Sequence, residues 1–245
     1  MKCLKMWILV MLMLLTVITN YPQAMLKSEC LNEDNMSVEI VDKIYKSKNN
    51  YLDINVIVPQ IKGLSNDKKE AEINDKITKW TEKWIDEVKS IADEYFKDYP
   101  SPLISYQLYV RYKVTNNSDI ISFYIDYYQF TGGAHGITNR VAYNIDSVTG
   151  NELQLKDIFK SDFPYKDVLN KEINRQISKD PDRYFPGKDG FNGISDNQTF
   201  YIKNGNIVVY FGLYEIAPYA GGMPEFRIPL EIFKKGYVYD KINSK

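Results

Sequence analysis

One amphipathic stripe constrains this chain more than any other feature. Ile73, Ile77, Trp80, Trp84, Val88, Ile91 and Tyr95 recur at spacings of four and three, which gathers them on one face of an α-helix. A helix with one apolar face must lay it on a partner, and the flanking sequence offers strands. Val38 to Tyr45 and Leu52 to Ile61 alternate apolar with polar residues around Lys48-Asn49-Asn50, the pattern of a β-hairpin. Asp67 with Glu70 three residues on makes a capping box at the helix start, and Pro100 and Pro102 stop the helix. Tryptophans at that spacing read as core residues packed against a sheet.

Tyr106, Leu108, Val110, Tyr112 and Val114 then alternate strictly, Asn116-Asn117-Ser118 turns the chain, and Ile120 to Phe130 returns as a second long strand. Asn139 to Ile145 resumes strand character, with a turn at Asp146 to Gly150. Leu153, Leu155, Ile158 and Phe159 lead into a second amphipathic helix carrying Val168, Leu169, Ile173 and Ile177, which Pro181 ends. Asp180 to Asp196, rich in Gly, Pro and Asp, reads as a long loop. Phe200 to Phe211 is a hairpin around Asn204-Gly205, and a last strand lies near Glu225 to Leu230. The order implies an α+β fold, with antiparallel sheets and amphipathic helices packed on one face, in two related subdomains. The expected division is a small α+β domain over 36–100, a second over 101–235 and a tail over 236–245, with the boundary at Tyr99 to Pro102.

Ahead of the fold, Lys2 and Lys5 precede the apolar run Met6 to Ile18. That run is short of the roughly 20 residues a bilayer-spanning helix needs, and it matches a signal-peptide core. Residues 1–24 therefore read as a signal peptide with a cleavage site at Pro22-Gln23-Ala24, or, if uncleaved, as an N-terminal anchor. The segment 25–35 reads as a flexible leader. Export is expected, with no other attachment to a membrane. The formal net charge of −1 becomes more negative when a leader with two lysines is lost, so no electrostatic footprint for nucleic acid or anionic lipid exists. Cys3 lies in the signal segment and Cys30 stands alone after it, which makes neither an intramolecular disulfide nor a metal site.

The chemistry-bearing candidates sit in two glycine-rich stretches. Tyr128-Gln129-Phe130-Thr131-Gly132-Gly133-Ala134-His135-Gly136 holds the single histidine of the chain. Phe211-Gly212-Leu213-Tyr214-Glu215-Ile216-Ala217-Pro218-Tyr219-Ala220-Gly221-Gly222 places one carboxylate among apolar and aromatic residues, a setting that raises a carboxyl pKa. A Ser-His-Asp or Cys-His mechanism would need His135, but no nucleophile elbow accompanies it and Cys30 lies in the leader. Zinc would lack further His or Cys ligands. Asp180, Asp182, Asp189 and Asp196 lack the spacing of a calcium loop and read as a solvated acidic loop. No cofactor is implied. Two readings of the pair stay open. Glu215 acts with another acid or with His135 on a polysaccharide, or both are loop residues held by backbone hydrogen bonds. Each stretch follows a strand rich in Tyr and Phe. If those strands are neighbours, the loops lie side by side, and a binding surface of Tyr128, Thr131, Gly132, Gly133, His135, Gly136, Tyr214, Glu215, Pro218, Tyr219 and Gly222 results, with rings supplying contact area. The 20 tyrosines of the chain suit both half-buried strands and such a surface.

Thr131 to Gly136, Asn144-Ile145-Asp146 with Thr149-Gly150, Leu153 to Phe159, and Tyr214 to Gly222 with Glu225-Phe226 resemble the RsiV-type extracellular domain over roughly residues 103–232. Residues 36–98 resemble the small domain that precedes it, a pair also found ahead of the catalytic domain of PdaC-type peptidoglycan deacetylases. In the sigma-factor regulator, the resemblance implies a lysozyme receptor whose bound form becomes a substrate for proteolysis. Only five residues precede Met6, so a cytoplasmic sigma-binding segment is not expected, nor is a deacetylase domain. The resulting expectation is an exported, non-catalytic cell-envelope protein that binds a protein such as a lysozyme-type muramidase, or a cell-wall glycan. The alternatives are an enzyme or an accessory module acting on peptidoglycan or another polysaccharide.

Overall fold

A computed structural model describes residues 38–98 and 104–239. The leader, Cys30, Pro100, Pro102 and the end of the tail lie outside the described residues.

The first hairpin forms where alternation put it. Strands β1 (Glu39–Lys48) and β2 (Leu52–Lys62) pair antiparallel, and Asn49 Oδ1 closes the turn by accepting the Tyr51 and Leu52 amides at 2.9 and 2.7 Å. Helix α1 spans Asp67–Phe96. Its N-cap is Asn66, whose Oδ1 accepts the Lys69 amide at 3.1 Å. Asp67 is thus the first helical residue and not the cap, and Glu70 accepts the Leu64 amide at 2.9 Å instead.

The buried stripe of α1 is rotated from the one the apolar spacing suggests. It runs Ile73, Ile77, Thr81, Ile85, Val88, Ala92 and Phe96. Trp80, Ile91 and Tyr95 are exposed and Trp84 is half-buried, so the tryptophans flank the contact line rather than fill it. The reason is local. Thr81 is small enough to meet the sheet, and its hydroxyl is satisfied by Ile77 O at 2.8 Å and the Tyr127 hydroxyl at 3.0 Å. Both indoles then pack on the Tyr127 ring, with centroids 4.3 and 5.5 Å away.

Strands β3 (Tyr106–Asn117), β4 (Ile120–Phe130) and β5 (Ile137–Asp146) complete a five-stranded sheet in the order β1-β2-β3-β4-β5. The pair β2–β3 is parallel, which departs from the all-antiparallel expectation. The helical crossover α1 brings the chain back to the end where β2 began, and a parallel neighbour follows. The sheet therefore runs across the boundary expected at Tyr99 to Pro102, and the core beneath α1 draws on residues from Leu52 to Ile145.

Helix α2 (Tyr165–Ile177) and strands β6 (Phe200–Lys203), β7 (Asn206–Tyr210) and β8 (Glu225–Pro229) build a second core with Phe159, Leu169, Phe211, Phe226 and Phe233. The β6–β7 hairpin turns at Asn204 and Gly205, with φ of 48° and 70°. Both values lie in the left-handed region that a two-residue turn of this kind requires. The three-stranded antiparallel sheet stacks on the five-stranded one. Tyr201, Val208 and Tyr210 meet Tyr124 and Ala142 at the seam. At the β6 end the seam is polar. Ser122 Oγ accepts the Ile202 amide at 2.8 Å and donates to Asn144 Oδ1 at 2.7 Å, while Asn144 Nδ2 donates to Phe200 O at 2.9 Å. The α+β class holds, with helices on sheets and two distinct cores.

Candidate recognition surface

The loop between β4 and β5 begins with half-buried Thr131 and passes through Gly132 and Gly133, with φ of 96° and 91°. These left-handed values let the chain reverse without strain. Gly136 answers a different need. A Cβ at that position would overlap the ring of Tyr128, so glycine lets the half-buried tyrosine lie flat over the backbone. The Tyr128 ring is also stacked on Tyr109, with centroids 5.9 Å apart. His135 is thereby pushed outward and is exposed.

The second loop, between β7 and β8, reaches the first across the seam. Tyr219 stacks on the His135 ring, with centroids 3.8 Å apart and planes at 17°, and its hydroxyl donates to Gly136 O at 2.8 Å. Tyr214 lies 5.7 Å from Tyr219 between ring centroids, and its hydroxyl is 3.5 Å from His135 Nε2. His135 Nδ1 faces Gly136 O at 3.1 Å. Tyr214 has φ 65°, an uncommon conformation for a residue with a Cβ, and it is 53% exposed. The turn Tyr219–Gly221 ends at Gly222, φ 70°, whose amide donates to Tyr219 O at 2.9 Å. Pro218 is exposed on its rim, and Ile137 extends the apolar surface at 55% exposure.

The structure thus brings His135, Gly136, Tyr128, Tyr214 and Tyr219 together. The strands before the two loops are not neighbours, because β4 and β7 belong to different sheets, and the loops meet through sheet stacking. Glu215 departs from its expected setting. It is exposed, and its Oε2 accepts the Gly212 amide at 2.6 Å, so it braces the second loop and is not buried among the apolar neighbours in sequence. The hydrogen-bond partners of His135 are a carbonyl and a phenol, not a nucleophile or a carboxylate. A cleft of about 220 Å³ beside the second loop is lined by Arg183, Tyr184, Ala217, Gly221, Met223, Pro224 and Glu225, and neither His135 nor Glu215 lines it. Among the described residues no group of three or more His, Cys, Asp and Glu is placed to hold a metal ion.

Sequence reasoning missed the charged group beneath this surface. Arg140 on β5, with a side chain only 9% exposed, grips Asp126 through Nε and Nη2 at 2.7 and 2.8 Å and Glu225 through Nη1 at 2.6 Å. Its guanidinium carbon lies 3.8 Å from the Tyr124 ring centroid. Burial disfavours the charge, but the hydrogen bonds to Asp126 and that carboxylate's field outweigh it and hold the guanidinium pKa above its usual value. The available signal was an acid within the tyrosine-rich run Tyr124-Ile125-Asp126-Tyr127-Tyr128.

Comparisons with known proteins divide the chain near the same seam. The family described as "Deacetylase PdaC" matches residues 45–138, and the one described as "Protein of unknown function (DUF3298)" matches residues 156–231. The first match runs past the limit expected near residue 98 and takes in β3, β4 and the His135 loop, while the Tyr219 loop falls in the second. The chain is 28% identical over 192 residues to the anti-sigma-V factor RsiV of Bacillus subtilis, covering 75% of this chain and 65% of RsiV. It is 29% identical over 150 residues to the peptidoglycan-N-acetylmuramic acid deacetylase PdaC of the same organism, covering 57% of this chain and 32% of PdaC. It therefore spans less than two thirds of either relative. A DUF3298-family crystal structure from Bacteroides fragilis aligns with TM-score 0.62 at 22% identity, covering 84% of this chain and 96% of that one. One from Pseudomonas aeruginosa aligns with TM-score 0.55 at 17% identity, covering 83% and 95%. Both support the fold. Among the described residues no helix is long and apolar enough to cross a membrane. The chain carries a PdaC-type region followed by a DUF3298 region, an RsiV-like arrangement.

Proposed function

We propose that the chain is an exported cell-envelope protein that binds a ligand without transforming it, using the paired loops around His135 and Tyr219. A lysozyme-type muramidase is the first candidate ligand. The observation that carries this reading is the stack of exposed His135 on half-buried Tyr219, with exposed Tyr214 beside it. Rings of this kind supply large contact area at low entropy cost, and pre-ordered rings bind without having to be immobilised. Supporting it are the apolar run Met6 to Ile18 and the similarity to an anti-sigma factor and to a peptidoglycan-directed enzyme. The partners of His135 and Glu215 are those of loop braces, which weighs against the polysaccharide-cleaving alternative.

Titration calorimetry with lysozyme tests the reading, using the wild-type chain and Tyr219→Ala. A central aromatic anchor is worth about 2 kcal/mol or more, so the substitution should raise Kd about thirtyfold. An absence of heat with wild type at micromolar concentrations removes this ligand, and equal affinity in a folded Tyr219→Ala removes this surface. Co-sedimentation with purified peptidoglycan separates the accessory-module alternative. Glycan cleavage that is lost in both Glu215→Gln and His135→Ala would establish the enzyme instead.

A further inference from the structure

We infer that Arg140 is the positioning residue of the recognition surface: its ion pairs to Asp126 and Glu225 set how the Tyr219 loop sits against the His135 loop. The inference rests on the recognition reading for its consequence in binding, but its structural content stands separately.

Each arm of the surface is leashed to this one guanidinium. Asp126 and Arg140 face each other across β4 and β5. Asp126 lies two residues before Tyr128, and Arg140 lies five residues after His135. Glu225 begins β8, six residues after Tyr219, and is paired with Tyr210 of β7. The bidentate grip on Asp126 fixes the plane of the guanidinium, and Tyr124 covers one face of it at 3.8 Å. One nitrogen is then left aimed across the seam, where it takes Glu225 at 2.6 Å. The Tyr210 hydroxyl adds a second cross-seam bond by donating to Arg140 O at 3.2 Å.

Geometry distinguishes this role from generic charge pairing. The Ser122 and Asn144 bonds tie the two sheets at β6, leaving rotation about that end to be limited by contacts nearer the loops. Arg140–Glu225 joins the five-stranded sheet to the first residue after the Tyr219 loop. A lysine would keep the charge but lose the planar fork that satisfies both carboxylates at once. An outer residue that holds a contacting residue in place acts on affinity through pre-organisation.

The single histidine of the chain makes the test direct, because its ring protons give one assignable set of NMR lines. Stacked on Tyr219, they are shifted upfield from those of an unstructured histidine. In Glu225→Ala and in Arg140→Lys that upfield shift should be lost while the amide lines of β1 and β2 stay in place, and Glu225→Gln, which keeps an acceptor for the guanidinium, should restore it. Lysozyme affinity should fall about tenfold in the first two variants, a loss of about 1.4 kcal/mol, and recover in the third. Unchanged His135 lines in a folded Glu225→Ala overturn the inference, as does failure of all three variants to fold, which would make the triad a plain folding requirement. Loss of the shift in a chain whose wild type binds no lysozyme supports the clamp and sinks the ligand. Binding that survives loss of the shift overturns the clamp's role in recognition.

Discussion

Beneath α1 the core rests on strands of 10 to 12 residues and a 30-residue helix, whereas around α2 it rests on strands of 4 and 5 residues, a 13-residue helix and several single turns. The side chains differ to match. The first core is largely aliphatic, with Val56, Val58, Leu108, Val110, Ile125 and Ile145 buried on one face of regular strands. The second also buries aliphatics such as Ile158, Leu169, Ile173, Ile207 and Ile228, and joins to them rings that come largely from outside the strands. Phe159 lies 5.0 Å from Tyr165 and 4.9 Å from Phe233 between centroids, and Phe211 lies 5.8 Å from Phe226. Long strands bury apolar area by repetition, many small contributions in register. Short strands cannot, so a few large rings must reach across loops to the same centre. The contrast implies that stability is spread thinly in the first core and concentrated in the second.

The largest expected effect breaks the ring-built core. Phe233 is fully buried, and Phe233→Ala should cost about 3–5 kcal/mol. Val110, equally buried but in the repetitive core, should cost about 2 kcal/mol as Val110→Ala. Urea unfolding gives both values. Hydrogen exchange in Phe233→Ala should show protection lost first in β6 to β8 and kept in β2 to β4. Equal costs, or uniform loss of protection, would mean the two cores share one cooperative network and the contrast is only one of appearance.

A middle-sized effect lies at the β6 end of the seam. Ser122→Ala leaves the buried Ile202 amide without its acceptor, which costs about 1–3 kcal/mol. The measure that matters is the shape of the unfolding curve. If the seam couples the two cores, the variant should unfold over a broader urea range, with a reduced slope, as the halves begin to separate. A parallel shift of the curve with unchanged slope would show that the remaining seam contacts, Asn144 to Phe200, the Tyr201 and Tyr210 packing and the Arg140 pairs, keep the cores coupled.

The same contrast explains what the sequence disclosed. The long strands and α1 are legible because alternation and helical spacing repeat over many residues, so local errors average out. The hairpin at Asn204-Gly205 is legible for the opposite reason, one turn needing two left-handed residues. What repetition could not convey is phase. The choice between Trp80 and Thr81 for the centre of the α1 stripe was decided by a hydroxyl partner on β4, which no spacing in α1 records. The parallel pairing of β2 with β3 depends on where a 30-residue helix delivers the chain. At the candidate surface, Gly132, Gly133 and Gly222 adopt left-handed backbone, and the reason for Gly136 is visible only once the Tyr128 ring lies over it. Arg140 was hidden because its two acids lie 14 residues before it in sequence and 85 after. Glu215 misled because apolar neighbours in sequence do not bury a side chain that turns outward to brace Gly212.

The smallest effect sharpens the comparison where the chain leaves one core for the other. Asp146 ends β5, and its carboxylate accepts the Val148 and Thr149 amides at 3.0 and 2.7 Å and the Tyr239 hydroxyl at 2.7 Å. Burial alone would raise its pKa, but the Thr149 amide, the Tyr239 hydroxyl and the Val148 amide together outweigh it and hold the pKa below the ordinary 3.8. A carboxyl whose folded pKa lies below its unfolded value stabilises the fold above the unfolded value. That contribution is lost as pH falls through the folded one. Asp146→Asn should therefore lower stability at neutral pH, and its deficit should shrink as pH drops below about 3.8. Urea titrations of both proteins between neutral pH and pH 2.5 read the difference. A deficit that stays constant across that range would show that Asp146 joins the two cores by shape and hydrogen-bond geometry alone, without help from its charge.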